Sequence, residues 1–181
     1  MKKILMIICF AACATLAVQA QELVEGSLDF LPQVKTFAVT YLFDNAKIAD
    51  LGVSIQEYAV IKDNDDSEPE GQFMKELRQE AGVQKADFVM KGNKKMKKGP
   101  QFTIDPEGGD YKIMCNLVQC GHRGQHAVAQ YTFVDSQGKV LAVVRANDGG
   151  GHWGSFTNLL SDCFKEINKK VVNFIAKHNK R

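Results

Sequence analysis

Cys120, His122 and His126 stand in the spacing C-x-H-x-x-x-H, and His152 follows inside a glycine run. A thiolate and neutral imidazoles are zinc ligands, provided three or four of them converge at about 2.0 to 2.3 Å from the metal. The same residue types can also form a thiol nucleophile and its base, if the cysteine is accessible and a histidine is within reach. This spacing falls on a turn and lacks the paired C-x-x-C units of the stronger zinc patterns, so solvated turn histidines are the competing reading. No metal and no other cofactor is expected.

Cys115 and Cys163 pose a different question. Cys115 lies on the apolar side of a strand pattern and Cys163 on the apolar stripe of the last helix pattern. They can bridge if their Cα atoms come within about 7 Å, or remain buried thiols that pack as small hydrophobes. Both readings stay open.

Gly150, Gly151, Gly154 and Ser155 open that last helix and invite an anion or ligand loop built from backbone N–H groups. A phosphate loop would add Lys-Ser or Lys-Thr after its last glycine, and a dinucleotide loop would follow a parallel strand, neither of which the pattern offers. The alternative is a sharp turn that brings Trp153 and Phe156 against the sheet. No G-x-S-x-G, H-E-x-x-H or paired-carboxylate arrangement is present, and no catalytic residue is assigned.

The elements that must hold these residues follow from periodicity. Phe37, Val39, Tyr41 and Phe43 alternate in a strand over residues 36–43. Ser54 caps a short helix carrying Ile55, Tyr58, Ala59 and Ile61. The acidic run 63–70 lacks the alternate ligands and central glycine of a calcium loop and reads as a solvated turn. Phe73, Leu77 and Ala81 start a helix over 70–97, with Phe88 and Met96 extending its stripe; a helix ending at Gly82 with a strand after it is the rival over 83–92. Lys91, Lys94, Lys95, Lys97 and Lys98 suit that helix's C-terminal dipole.

Residues 111–120, 126–134 and 140–145 then read as an antiparallel meander. Parity puts Tyr111, Ile113, Cys115 and Leu117 on one face, with Ala127, Ala129, Tyr131 and Phe133 on the matching face of the next strand. From Ser155 on, Phe156, Leu159, Leu160, Cys163, Phe164, Ile167, Val171, Phe174 and Ile175 make one apolar stripe. The expected fold is α+β, a two-layer sandwich of about four antiparallel strands packed on helices, closed by a long C-terminal amphipathic helix.

Met1 to Lys3, the apolar stretch to residue 17 and the small residues Val18 and Ala20 have the layout of a secretory signal over residues 1–20, leaving one domain over 21–181. A lipid anchor at Cys13 is the weaker alternative, because the following residues stay apolar where a tether would be polar. Loss of Lys2 and Lys3 takes the 23 basic side chains to 21, equal to the 21 acidic ones, so nucleic acid is not an expected partner. No later stretch has the roughly 20 apolar residues of a membrane span. Export to the periplasm or beyond is the expected destination.

The segments DSQGKVLAVVRANDGGG and HWGSFTNLLSDCF resemble a family of uncharacterised secreted proteins typical of Bacteroidetes, with residues 136–144 and 154–164 carrying the likeness. The resemblance implies an exported α+β protein and brings no catalytic residues. The expected function is a non-catalytic binding or envelope-associated module whose partner is an envelope component or a small ligand. A small thiol or histidine hydrolase and an apolar-ligand binder are the alternatives; the latter needs an enclosed cavity of roughly 300 Å³ or more.

Overall fold

The computed structural model describes residues 21–62 and 71–179; the leader, Cys13 and the acidic run 63–70 lie outside the described residues. Eight strands form one sheet: β1 (Gln21–Gly26), β2 (Thr36–Leu42), β3 (Lys47–Ile48), β4 (Val53–Ser54), β5 (Gln101–Thr103), β6 (Tyr111–Cys120), β7 (Ala127–Val134) and β8 (Val140–Asp148). Three α-helices accompany them: α1 (Ile55–Lys62), α2 (Gln72–Lys95) and α3 (Phe156–His178).

The expected four-stranded antiparallel sheet is corrected by this topology. The order is β1-β8-β7-β6-β2-β5, with β3 beside the end of β6 and β4 beside β3. β6, β7 and β8 form the anticipated antiparallel meander, but β2 runs parallel to both β6 and β5. A parallel partner requires a crossover rather than a hairpin. Here α1 and α2 supply it, so the helices between β2 and β6 reverse the direction that a simple meander would have given. β1 pairs antiparallel with β8 and makes the outer edge.

The register explains the core. Tyr41, Cys115 and Tyr131 are direct neighbours across β2, β6 and β7, and Val39, Ile113 and Phe133 form the next row. These rows face the helices, where Phe88 of α2 stacks on Tyr131 at 5.5 Å and Ile167, Val171 and Ile175 of α3 are fully buried. On the opposite face, Thr132 and Gln130 are half-buried and Asn116 and Arg145 are exposed. The result is one helical layer on one side of a mixed sheet.

Local chemistry sets the helix starts. Ser54 and Glu57 cap α1 reciprocally: Glu57 N–H donates to Ser54 Oγ at 3.1 Å, and Glu57 Oε2 accepts from Ser54 N–H at 2.6 Å. Ser155 Oγ accepts from Asn158 N–H at 3.3 Å at the start of α3. α2 runs without a break through Gly82 and Gly92, so residues 83–92 are helix. Among the described residues, no helix is long and apolar enough to cross a membrane.

Candidate functional site

The residues with the most reactive chemistry do not converge. Cys120 ends β6 fully buried, and burial, reinforced by Cys163 and Asp50, pushes its thiol up to about 12. A thiol held protonated and shut from solvent is no nucleophile. His122 is exposed, with Nδ1 2.8 Å from Asp50 Oδ2 and its N–H donating to the same oxygen at 3.2 Å. These bonds hold Asp50 below the usual carboxylate range. His126 and His152 are also exposed, and no three His, Cys, Asp or Glu side chains among the described residues are placed to hold a metal ion. The structure does not bring Cys120, His122, His126 and His152 together: β6 turns Cys120 inward, the β6–β7 hairpin leaves His122 and His126 exposed, and His152 is exposed in the loop after β8.

Of the two readings left open for Cys115 and Cys163, the structure has both as free, buried thiols. Cys115 sits between Tyr41 and Tyr131 in the central row of the sheet. The α3 residue above that row is Asn168, five positions and about 7.5 Å along the helix from Cys163. Cys163 points instead at the hairpin end, with Sγ 3.8 Å from Gly124 O and 3.6 Å from Asp148 O.

Part of the glycine loop of Gly150, Gly151, Gly154 and Ser155 is already engaged. Gly150 N–H donates to Asp148 Oδ1 at 2.9 Å, and Ser155 Oγ caps the helix and also meets Thr157 Oγ1 at 2.9 Å. Gly150 has φ +70°, and a Cβ there would lie 2.5 Å from Cys163 Sγ, so glycine is required both for conformation and for close approach. Trp153 does not reach the sheet: it is 90% exposed, while Phe156 packs on Tyr58 and Phe73 at 5.7 and 5.2 Å.

What the fold does build is a cleft between the end of β2 and the side of α2. Its volume is about 250 Å³, and it is lined by Tyr41, Phe43, Asp44, Arg78, Ala81, Gly82 and Lys85. Arg78 and Lys85 are two helical turns apart, about 10.5 Å, and stand at either end of a floor made from Ala81 and Gly82. Gly82 has no positive φ, and a Cβ on it would meet nothing within 4 Å. Neither backbone conformation nor packing calls for glycine at this mid-helix position, where it costs about 1 kcal/mol relative to alanine. Its effect is to keep the floor of the cleft open.

The wall opposite is rigid. Tyr41 carries its hydroxyl into the core, where it and Tyr131 both donate to Asn168 Oδ1. Asn168 Nδ2 donates to Gln84 O at 2.9 Å, Gln84 Nε2 to Ser161 Oγ at 2.8 Å, and Ser161 Oγ to Glu80 Oε2 at 2.7 Å. This chain ties β2, β7, α2 and α3 together beneath the cleft. Beside it, an enclosed space of about 10 Å³ separates Phe43, Ala81 and Gln84 from Leu160 and Phe164, room for about one water. A lipid between helices and sheet would have to part these layers.

Nothing in the local pattern singles out Arg78 and Lys85, which are charged residues between the apolar positions of a helix. Gly82 inside an otherwise regular helical stretch was the available signal.

No protein-family model and no curated protein matches the chain. Two solved structures of the PelC dodecamer from Paraburkholderia phytofirmans, one of a point variant, are similar in outline. The variant aligns over 89% of this chain and 98% of its own with 9% identity and a TM-score of 0.43. The other aligns over 81% and 94% with 8% identity and a TM-score of 0.42, a likeness at which the reading of function rests on this chain's own residues.

Proposed function

We propose that this protein is an exported, non-catalytic binding module of the cell envelope, related to the secreted Bacteroidetes proteins that residues 136–144 and 154–164 resemble. The observation that carries the reading is the β2–α2 cleft of about 250 Å³, lined by Asp44, Arg78 and Lys85 around a floor left bare by Ala81 and Gly82. A hollow with a few polar groups of this kind suits a small ligand. Tyr41 and Phe43 add ring surface for its apolar part. The buried thiols and the dispersed histidines support a binding role over a hydrolytic one.

The export part is tested by fractionating cells that express the full chain and weighing the mature protein. A product beginning at Gln21 in the periplasm or medium is the expected result. The binding part is tested by titrating isotope-labelled protein with a panel of small organic ligands, succinate among them. Shifts should gather at Tyr41, Phe43, Asp44 and residues 78–85, and should vanish in Gly82→Trp. Shifts centred elsewhere, or none, would overturn the cleft as the site.

A further inference from the structure

At the other end of β2, the turn before the strand, the turn after α2 and the end of α3 enclose a second hollow, of about 470 Å³. The length of β2 from Thr36 to Leu42 sets it about 20 Å from the β2–α2 cleft, at a rise of ~3.3 Å per residue. Gln101 N–H donates to Lys35 O at 2.8 Å and Gly99 N–H to Met96 O at 2.7 Å, so the loops carrying Lys35 and Lys98 are tied to each other and to α2. Pro32 and Pro100, with φ fixed by their rings, stiffen both loops.

Three polar side chains line this hollow, Lys35, Lys98 and Asn179, and no carboxylate does. Both lysines are exposed, and among the described residues neither ammonium, nor the Asn179 amide, has a hydrogen-bond or ion-pair partner. Asp110 is brought to this end of β2, where its N–H donates to Thr36 Oγ1, but its carboxylate is not part of the lining. The negative ends of α2 and α3 are already matched by Lys94 and Lys95 and by Lys177 and His178 in their last turns. Lys35 and Lys98 are left as uncommitted cations. A Cβ on Gly99, whose φ is not positive, would lie 2.7 Å from Asn179 Nδ2, so glycine here keeps room for the amide at the edge of the hollow.

Two positive charges and three donor groups match a phosphate monoester, which carries about −1.5 to −2 charge at pH 7 and three strong acceptor oxygens. A carboxylate offers one charge and fewer acceptors. Lysine meets phosphate as a point charge on a flexible stem, which lets two of them close on one group. The space is larger than a phosphate group fills. Its exposed apolar surface is Pro32, while Leu31, Val34 and Pro100 are buried, a lining that suits a polar substituent over a hydrocarbon chain.

We propose that this hollow binds a sugar phosphate, with the phosphate held by Lys35, Lys98 and Asn179 and the C–H face of the sugar against Pro32. It shares no lining residue with the β2–α2 cleft, so either site stands or falls without the other.

The test titrates the isotope-labelled full chain with glucose 6-phosphate at about pH 7.5, above the second phosphate ionisation at about 6. Saturable shifts are expected at Val34, Lys35, Lys98, Gly99 and Asn179. Binding should weaken about tenfold or more when Lys35→Gln and Lys98→Gln are combined, with an unchanged thermal melt showing that the variant is folded. Gly99→Ala, which displaces the Asn179 amide, and Asn179→Ala should each weaken it about threefold or more. Inorganic phosphate should bind at least about fivefold more weakly, for want of the contact with Pro32. Equal binding of inorganic phosphate overturns the sugar, equal binding of gluconate overturns the phosphate, and tighter binding to phosphatidic acid vesicles overturns both in favour of a lipid headgroup. A smaller loss in the lysine pair, or shifts gathered only at residues 78–85, overturns the hollow as the site and leaves the β2–α2 cleft untouched.

Discussion

Tyr131 at the centre of the sheet donates its hydroxyl to Asn168 Oδ1 of α3 at 2.8 Å, and Tyr41 from β2 donates to the same oxygen. One fully buried amide thus satisfies two phenols and reaches across to the backbone of α2 through Gln84 O. The arrangement fixes the distance between both helices and the strand that walls the cleft.

Asn168→Leu should lower unfolding stability by about 3 kcal/mol or more, since it leaves two buried hydroxyls without an acceptor, each at about 1–3 kcal/mol. The triple variant Tyr41→Phe, Tyr131→Phe, Asn168→Leu should cost less than Asn168→Leu alone, because it removes the stranded groups together with their partner. Urea unfolding of the two variants beside the parent decides it; a triple variant less stable than the single one contradicts the network.

Burial, with the two hydroxyls and Cys115 close together, raises the ionisation of Tyr41 and Tyr131 well above the ordinary tyrosine value. The unfolded chain then releases these protons first, from about pH 10 upward. Stability from this source is complete below that pH and is lost as pH rises toward the folded values. Tyr41→Phe with Tyr131→Phe should flatten the alkaline decline in a series of melts, and an unchanged slope would exclude these phenols as its origin.

Asp148 behaves in the opposite sense. Its partial burial works against ionisation, but Lys170 and the Gly150 and Gly149 N–H groups outweigh it and hold the carboxyl below its ordinary value. Its stabilisation is present above the unfolded carboxylate value of about 3.9 and fades as pH falls below it. Lys170→Met should cost about 1–2 kcal/mol at neutral pH, a charged hydrogen bond's contribution, and the difference from the parent should shrink in acid. Denaturation curves at neutral and acid pH provide the comparison.

At Gly150 a Cβ would meet Cys163 Sγ at 2.5 Å, and φ is +70°. Gly150→Ala should destabilise by about 2–4 kcal/mol through overpacking and backbone strain together. Adding Cys163→Ala should restore part of this loss, leaving about 1–2 kcal/mol for the left-handed backbone alone. Thermal melts of the single and paired variants test the split; strictly additive losses would place the clash elsewhere.

The meander and the three helices were legible because each declares itself within a local window: period two in β7, a 3.6-residue stripe in α3, a capping residue at Ser54. β3, β4 and β5 are two or three residues long, too short to show any period. β1 is exposed at nearly every position, so no alternation marks it, and its ladder comes from β8. The direction of β2 depends on a partner far along the chain, which local pattern cannot contain. Trp153 was misplaced by its size: a large apolar side chain usually finds cover, yet the loop fixed by Gly150 and Ser155 carries it outward.

β6 pairs with β7 through a short hairpin, and with β2 between residues 74 apart, as in Phe37 and Tyr111. Closing so long a loop carries its entropy before any contact rewards it, and non-local parallel pairs are slow to form. The meander with α3 has only local closures to make. A refolding chain should accordingly assemble its C-terminal half first and present β6 and β8 as templates, with arrival of β2 and of β1, whose Gln21 pairs with Ala146, as late steps. The wall of the cleft is then among the last parts of the molecule to form.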